Sequence, residues 1–309
     1  MSAKIDDDEA EADEADEVCA SCGKSAVDDI KLKFCTACKL VKYCSVECQK
    51  NHRPKHKKAC KRRAAEIRDD RLFKQPDESH LGECPICCLP LPLGEKKWAI
   101  NSCCCKTICK GCEYANVLRE KEQGLEHRCP YCREPLPDTD EEIDQNYMKR
   151  IKANDPVALF QMGEKCSLEG DFEGAFEYYT KAATLGNMLA HYNLSVFYDE
   201  GKGVEKDEKK SVYHLEEAAI GGHPDARYNL GFEEGKNGRM ERAMKHHIIA
   251  ANLGDDGALD KVKQGFAAGL VSKDDYAASL RGHQAAVDAT KSEQRDAGEE
   301  WWYKRLNQA

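Results

Sequence analysis

The chain has 309 residues, 56 acidic against 47 basic side chains, a net charge of −9 and 18 cysteines. That length suits two or three units. It holds no apolar run long enough to span a bilayer, and the acidic amino terminus does not fit a secretory signal, so neither membrane insertion nor export is expected, and an intracellular setting, cytoplasmic or nuclear, is. Disulfides are disfavoured in such a reducing compartment, and dense cysteine at C-x-x-C spacing then reads as metal binding. Seventeen of the 18 cysteines fall in the first 135 residues, and the other is Cys166. That segregation sets the architecture: cysteine-rich modules first, a cysteine-poor part behind.

Residues 1–18 come first. Asp6 to Glu17 carries nine acids and nothing bulky and apolar to bury. A disordered, solvated tail is expected there.

Residues 19–60 follow. Their metal-ligating side chains run Cys19-x-x-Cys22, Cys35-x-x-Cys38, Cys44-x3-Cys48 and His56-x3-Cys60. Eight such ligands suffice for two tetrahedral zinc sites. C-x-x-C sets two thiolates on one side of a tight turn, while Cys-x3-Cys and His-x3-Cys each fit one helical turn. A segment this short buries too little apolar surface to fold alone. Structural zinc supplies roughly 10–16 kcal/mol of apparent binding energy, which becomes folding energy.

The residues Tyr43-Cys44, Cys48-Gln49 and His56-Lys57-Lys58-Ala59-Cys60 resemble a MYND-type zinc finger. That resemblance implies interleaved ligands: Cys19, Cys22, Cys44 and Cys48 on one zinc, and Cys35, Cys38, His56 and Cys60 on the other. It also implies a docking groove for proline-containing peptides of partner proteins, with Gln49 a partner-binding position. The family carries Trp just after the position of His52, and this chain has Arg53, which removes an aromatic platform. Lys50 to Arg63 carries eight Lys or Arg. With His56 and Cys60 set among them as ligands and no aromatics interleaved, they read as the solvated face of a helix rather than a nucleic-acid surface.

Residues 61–83 read as a helical linker, because Ala64 to Gln75 is charged and helix-favouring and Pro76 closes it. Residues 84–135 then present Cys84-Pro-Ile-Cys87, the trio Cys103-Cys104-Cys105, Cys109-x-x-Cys112 and Cys129-Pro-Tyr-Cys132. A short helix is expected after Cys112, ended by Gly124. The opening Cys-Pro-Ile-Cys and the closing Cys-Pro-Tyr-Cys-Arg-Glu-Pro resemble a RING-type finger in an all-cysteine variant. The resemblance implies Cys84, Cys87, Cys109 and Cys112 on one zinc. It puts Cys129 and Cys132 on the other with two of the trio, Cys103 and Cys104 preferred and Cys105 the alternative. It further implies that Ile86 and Pro135 contact a ubiquitin-conjugating enzyme, and that Arg133 hydrogen-bonds to both that enzyme and ubiquitin. Such a finger acts by orientation and makes no covalent intermediate.

Residues 136–154 form a linker helix whose start is marked by Thr139 and Glu142, a capping box. Self-similarity follows over 155–291. Ala190-His191-Tyr192-Asn193-Leu194 recurs as Ala226-Arg227-Tyr228-Asn229-Leu230, and anchoring alanines stand at 158, 190, 226 and 258. Each unit reads as helix, turn, helix, glycine. The pattern resembles Sel-1-like repeats, relatives of the tetratricopeptide repeat, which implies a solenoid with a concave surface for proteins or peptides. Tyr178-Tyr179, Phe197-Tyr198 and the array's histidines read as packing or surface residues. Residues 292–309 are a tail in which Trp301-Trp302-Tyr303 packs back on the last repeat helix.

The expected fold is mainly α, with two small cross-braced zinc-finger modules ahead of an α-helical solenoid. About four zinc ions are implied. No activated nucleophile, phosphate loop or His-Glu-x-x-His is present, so no catalytic residue is assigned. The function expected is a zinc-binding adaptor or scaffold for proteins. The alternative is a RING-type ubiquitin-protein ligase that recruits a conjugating enzyme through the second finger. Neither nucleic acid nor membrane is an expected partner.

Overall fold

The computed structural model describes residues 18–26 and 31–306; the acidic segment up to Glu17 lies outside the described residues. The chain divides into two units, Met1–Leu72 and Phe73–Ala309.

In the first unit a two-residue hairpin pairs β1 (Lys33–Phe34) with β2 (Lys42–Tyr43) antiparallel. Helix α1 (Val46–Leu72) follows. Its core is the metal-ligating cysteines themselves, with buried Cys19, Cys35 and Cys38 packed around Tyr43. The ligand-bearing turns and the expected linker helix are one helix of 27 residues. Nothing in the charged stretch around Ala64 interrupts good helix formers, so the helix begun at the metal ligands propagates.

The second unit opens with the other cysteine-rich module. Strands β3 (Trp98–Asn101) and β4 (Lys106–Cys109) pair antiparallel, and α2 (Lys110–Gln123) follows. Gly124 ends α2 in the left-handed conformation at φ 64°. Helix α3 (Asp140–Lys152) starts at Thr139, whose hydroxyl accepts from the Glu142 amide. It packs on Cys105 and α4 through Tyr147, Ile143 and Ile151.

Paired antiparallel helices then stack: α4 (Pro156–Leu168) with α5 (Phe172–Thr184), α6 (Met188–Glu200) with α7 (Glu208–Ile220), and α8 (Pro224–Lys236) with α9 (Met240–Asn252). Helices α10 (Asp256–Ala267) and α11 (Lys273–Ala289) close the array. The periodic alanines explain the spacing. Ala158, Ala190, Ala226 and Ala258 are fully buried, as are Ala175, Ala182, Ala218 and Ala250 on the facing helices. Larger side chains there would push the backbones apart. Gly163 is tighter still: a Cβ at that position would stand 2.6 Å from the Tyr179 ring. Tyr179 and Phe197 sit in this core as the sequence implies, while Tyr178 is half-buried at its edge.

The first helix of each pair is capped at one register position. Asp155, Asn187 and Asp255 accept from backbone amides of α4, α6 and α10, satisfying donors no helical carbonyl can reach. The same position before α8 holds His223, which makes no such cap.

The carboxyl-terminal segment differs from expectation. Residues expected as a tail form helix α12 (Glu293–Leu306), which lies against α2 rather than against the last repeat helix. Trp301 packs on Tyr114, with ring centroids 5.4 Å apart, and the Lys110 ammonium sits 4.0 Å over the Trp302 ring. Gly111 and Gly298 let the backbones touch, since a Cβ on Gly298 would meet the Gly111 Cα at 2.7 Å. No helix among the described residues is long and apolar enough to cross a membrane.

The array's histidines are mostly interior. His223, His246 and His247 are buried, and His80 stacks on His223 at 4.2 Å. Burial holds His80, His214 and His247 down at about 4 and His223 and His246 down at about 3, against an ordinary value of 6.5. Their unfolded forms therefore bind protons that the folded forms refuse. Stability from these rings is fully present above about pH 6.5 and drains as pH falls toward 4, by about 1.4 kcal/mol per pH unit for each ring. Urea unfolding of the zinc-loaded protein at about pH 7.5 and about pH 5.5 measures this. We expect His80→Phe combined with His223→Phe to lose less stability between those conditions than the wild type.

Candidate metal centres

Four groups of ligand atoms converge, each group lying within 4.8 Å: Cys19, Cys22, Cys44, Cys48; Cys35, Cys38, His56, Cys60; Cys84, Cys87, Cys109, Cys112; and Cys103, Cys104, Cys129, Cys132. The interleaving is the one the two resemblances imply. Local backbone explains four of the C-x-x-C pairs. The amides of Gly23, Lys39, Cys88 and Arg133 each donate four residues back, to the carbonyls of Cys19, Cys35, Cys84 and Cys129. Those turns need a left-handed residue after the second cysteine. Glycine supplies it at Gly23, whereas Lys39, Cys88 and Arg133 accept φ of 52°, 54° and 65°. A non-glycine residue there is strained, so something must hold the turn closed.

Sulfur separations fit shared metal coordination rather than disulfides. Cys22–Cys44 is 3.6 Å, Cys35–Cys60 3.7 Å, Cys87–Cys109 3.8 Å and Cys104–Cys129 3.8 Å. A disulfide would need about 2.05 Å. The edge of a tetrahedron with metal–sulfur bonds near 2.3 Å is about 3.8 Å. His56 completes its group through Nε2, 3.2 Å from the Cys38 sulfur. The thiols of one group do not titrate alike: against the opposing effect of burial, hydrogen bonds hold Cys19 and Cys35 down at about 6, while their neighbours are pushed up. Contacts with Cys48, then Cys19 and Cys22, push the Cys44 thiol up to about 12. Burial, then Cys35 and Cys38, push Cys60 up to about 11. A dication relieves that mutual repulsion and lets the ligands bind as thiolates. The donor sets, three Cys₄ and one Cys₃His, suit zinc.

The residues left outside the groups are accounted for. Cys105 faces α3, buried against Tyr147, and burial pushes its thiol up to about 11. Cys88 is exposed. His127 bonds Glu120 at 2.7 Å instead of joining a ligand group. His52 stacks on His56 and pairs with the Tyr43 hydroxyl at 3.0 Å, which fixes the ring next to the ligand.

Two further residues were not legible beforehand. Arg295 of α12 is 3% exposed, and its guanidinium donates to the carbonyls of Pro90, Leu89 and Thr290. It also reaches the Cys87 sulfur at 3.3 Å, and Gln294 donates to the Cys112 sulfur at 3.3 Å. Four thiolates around a dication leave a net negative cluster, which a buried guanidinium offsets. The nearby Trp301 and Trp302 were the available signal that the segment packs, and nothing local in the sequence marked Arg295 or Gln294.

Among the proposed partner-binding residues, Gln49 lines a groove of about 460 Å³ on the first unit. Lys50, Arg53, Lys57 and Lys61 of α1 rim that groove, and no carboxylate lines it among the described residues. In the second module Ile86 is 40% exposed and Pro135 is exposed. Arg133 is exposed, with one guanidinium nitrogen donating to the Asn116 side-chain oxygen at 2.9 Å.

The MYND finger family matches residues 19–60, and the Sel1 repeat family matches residues 156–187, 189–223 and 224–255. Chitin synthase regulator SKT5 of Saccharomyces cerevisiae is 34% identical over 92 residues, 28% of this chain and 13% of that protein. HcpC of Helicobacter pylori is 43% identical over 56 residues, 18% of this chain and 19% of that protein. The chain thus spans under a fifth of the length of these curated relatives. A solved Sel1 repeat protein from Oxalobacter formigenes superposes with a TM-score of 0.42 at 20% identity, over 64% of this chain and 86% of that one.

Filling all four groups predicts four zinc ions released per chain on mild thiol oxidation, counted with a chromogenic chelator. Cys104→Ser should lower the count by one, and Cys105→Ser should leave it unchanged. Arg295→Met should speed zinc loss to a chelator about tenfold at one site only.

Proposed function

We propose that the chain works as a zinc-braced adaptor: metal ions hold the cysteine-rich modules in shape, and grooves on the modules and array hold peptide segments of other proteins. Its MYND finger and Sel1 repeats, both protein-interaction modules, support that reading, and the finger implies zinc. The observation that carries this reading is the groove beside Gln49, formed on the helix whose first turns supply His56 and Cys60 to a metal group. Metal binding sets that helix against the Cys35–Cys38 turn, and the two together make the groove.

The chemistry of the groove departs from the proline-peptide expectation. Tyr43 and Val46 provide an apolar floor, while Arg53 stands where the family has an aromatic side chain. Four cations without an opposing carboxylate favour a peptide bearing Asp or Glu, and the attraction is screened by salt. The comparison for this groove is a fluorescent acidic peptide against a proline-rich neutral one, followed by anisotropy. The acidic peptide should bind more tightly, and Arg53→Glu with Lys57→Glu should weaken it about tenfold. Arg53→Trp should shift preference toward the proline-rich peptide. Equal binding of both peptides by all three proteins would remove the groove from the adaptor reading.

A second reading, a RING-type ubiquitin ligase built on residues 84–135, draws support from the exposure of Ile86 and Pro135. Arg133 is also exposed, and its single bond to Asn116 leaves further guanidinium donors for the role that reading gives it. Polyubiquitin formed with a panel of conjugating enzymes, and lost in Ile86→Ala, is the outcome that reading requires; silence across the panel retires it.

A further inference from the structure

The second unit contains a cavity of about 690 Å³ between β3 of the cysteine-rich module and the first helices of the repeats, α4, α6, α8 and α10. This volume lies within the range of pockets that hold specific ligands. Glu164, Asp225 and Asp256 line it along with Asp255, and no lysine or arginine lines it among the described residues. Its walls are aromatic. Trp98 is fixed by a bond from its indole N–H to the Pro92 carbonyl, and Tyr192 stands across the cavity on α6.

His223 adds an independent pointer. It occupies the register position where Asp155, Asn187 and Asp255 cap their helices, yet it caps nothing. It is 3% exposed, lies between the rings of His80 and Tyr192, and leaves both ring nitrogens without a hydrogen-bond partner. A buried polar side chain lacking partners is costly unless a ligand supplies them. Burial keeps His80 and His223 neutral at neutral pH, so the cavity carries negative charge only.

We propose that this cavity receives a peptide segment carrying lysine or arginine, its cation set among the carboxylates and against the aromatic walls. Aromatic faces and carboxylates together attract ammonium or guanidinium groups, and partial enclosure strengthens both contacts. The proposal rests on the adaptor reading and names the chemistry of one of its partners. It gives the chain two recognition sites of opposite charge preference, since the groove at Gln49 is rimmed by cations.

The test is retention of a randomised eight-residue peptide library (about that length) by the full zinc-loaded chain, with the retained pool sequenced. Wild type should enrich lysine and arginine several-fold. Glu164→Gln with Asp225→Asn and Asp256→Asn should lose that enrichment about tenfold while still retaining acidic peptides through the other groove. Unchanged thermal unfolding of the triple variant shows that the array persists. A wild-type pool without basic enrichment, or one the triple variant leaves intact, overturns the proposal while the adaptor reading stands. Retention of no peptide at all overturns both. Spermidine binding as tightly as the best retained peptide assigns the cavity to a small polyamine instead and also overturns it.

Discussion

Charge concentrated among sulfurs governs the architecture of the first 135 residues. Apolar burial there is slight, and the side chains at the centre of each small core are themselves cysteines. Packed thiols alone repel one another once ionised and hydrogen-bond poorly while protonated, so they supply little cohesion. A dication reverses the sign of that interaction. Bound there, it would draw together turns whose left-handed residues at Lys39, Cys88 and Arg133 otherwise tend to open, and would join segments as distant as Cys104 and Cys129. The helical array obeys a different rule. Its cohesion comes from alanines buried completely at every helix contact, with aromatic side chains filling the spaces between pairs.

The two regimes meet in the second unit without a loose hinge. Cys105, not needed as a ligand, packs on Tyr147 and Ala158 and so ties the module to the first repeat helices. Helix α12 returns from the far end of the array and inserts Arg295 beside Cys87. The cavity walled by Trp98 on one side and Tyr192 on the other exists because both ties hold. Recognition surfaces of this kind depend on the relative placement of rigid parts, and metal coordination is among the most rigid placements a small module can have.

Much of this was legible in the sequence because it is local or periodic. C-x-x-C turns, the capping box at Thr139 and Glu142, and the returning alanines each announce a structure through spacing alone. The choice of Cys103 and Cys104 over Cys105 was not decidable that way, because three adjacent cysteines have equivalent spacing to Cys129. Packing of α3 against the third thiol separates them. The role of α12 was hidden for a plainer reason. Its partners lie far upstream, and a mostly polar helix, although capped by Ser292, reads as a tail until its arginine is seen to be enclosed. The tryptophans signalled that the segment packs, but not against what. His223 read only as a packing or surface residue, and its place at a capping register shows when the repeats are aligned with one another.

The contact between Gln294 and Cys112 spans 182 positions of sequence. At roughly 5–20 residues per second, a ribosome delivers those cysteines about 10 to 40 s before the helix that covers them. During that interval the nascent chain displays a half-finished thiolate cluster, open to zinc delivery and to oxidation alike. A product of interrupted translation would never acquire its cover, and so would carry in its looser metal a chemical mark of its own incompleteness.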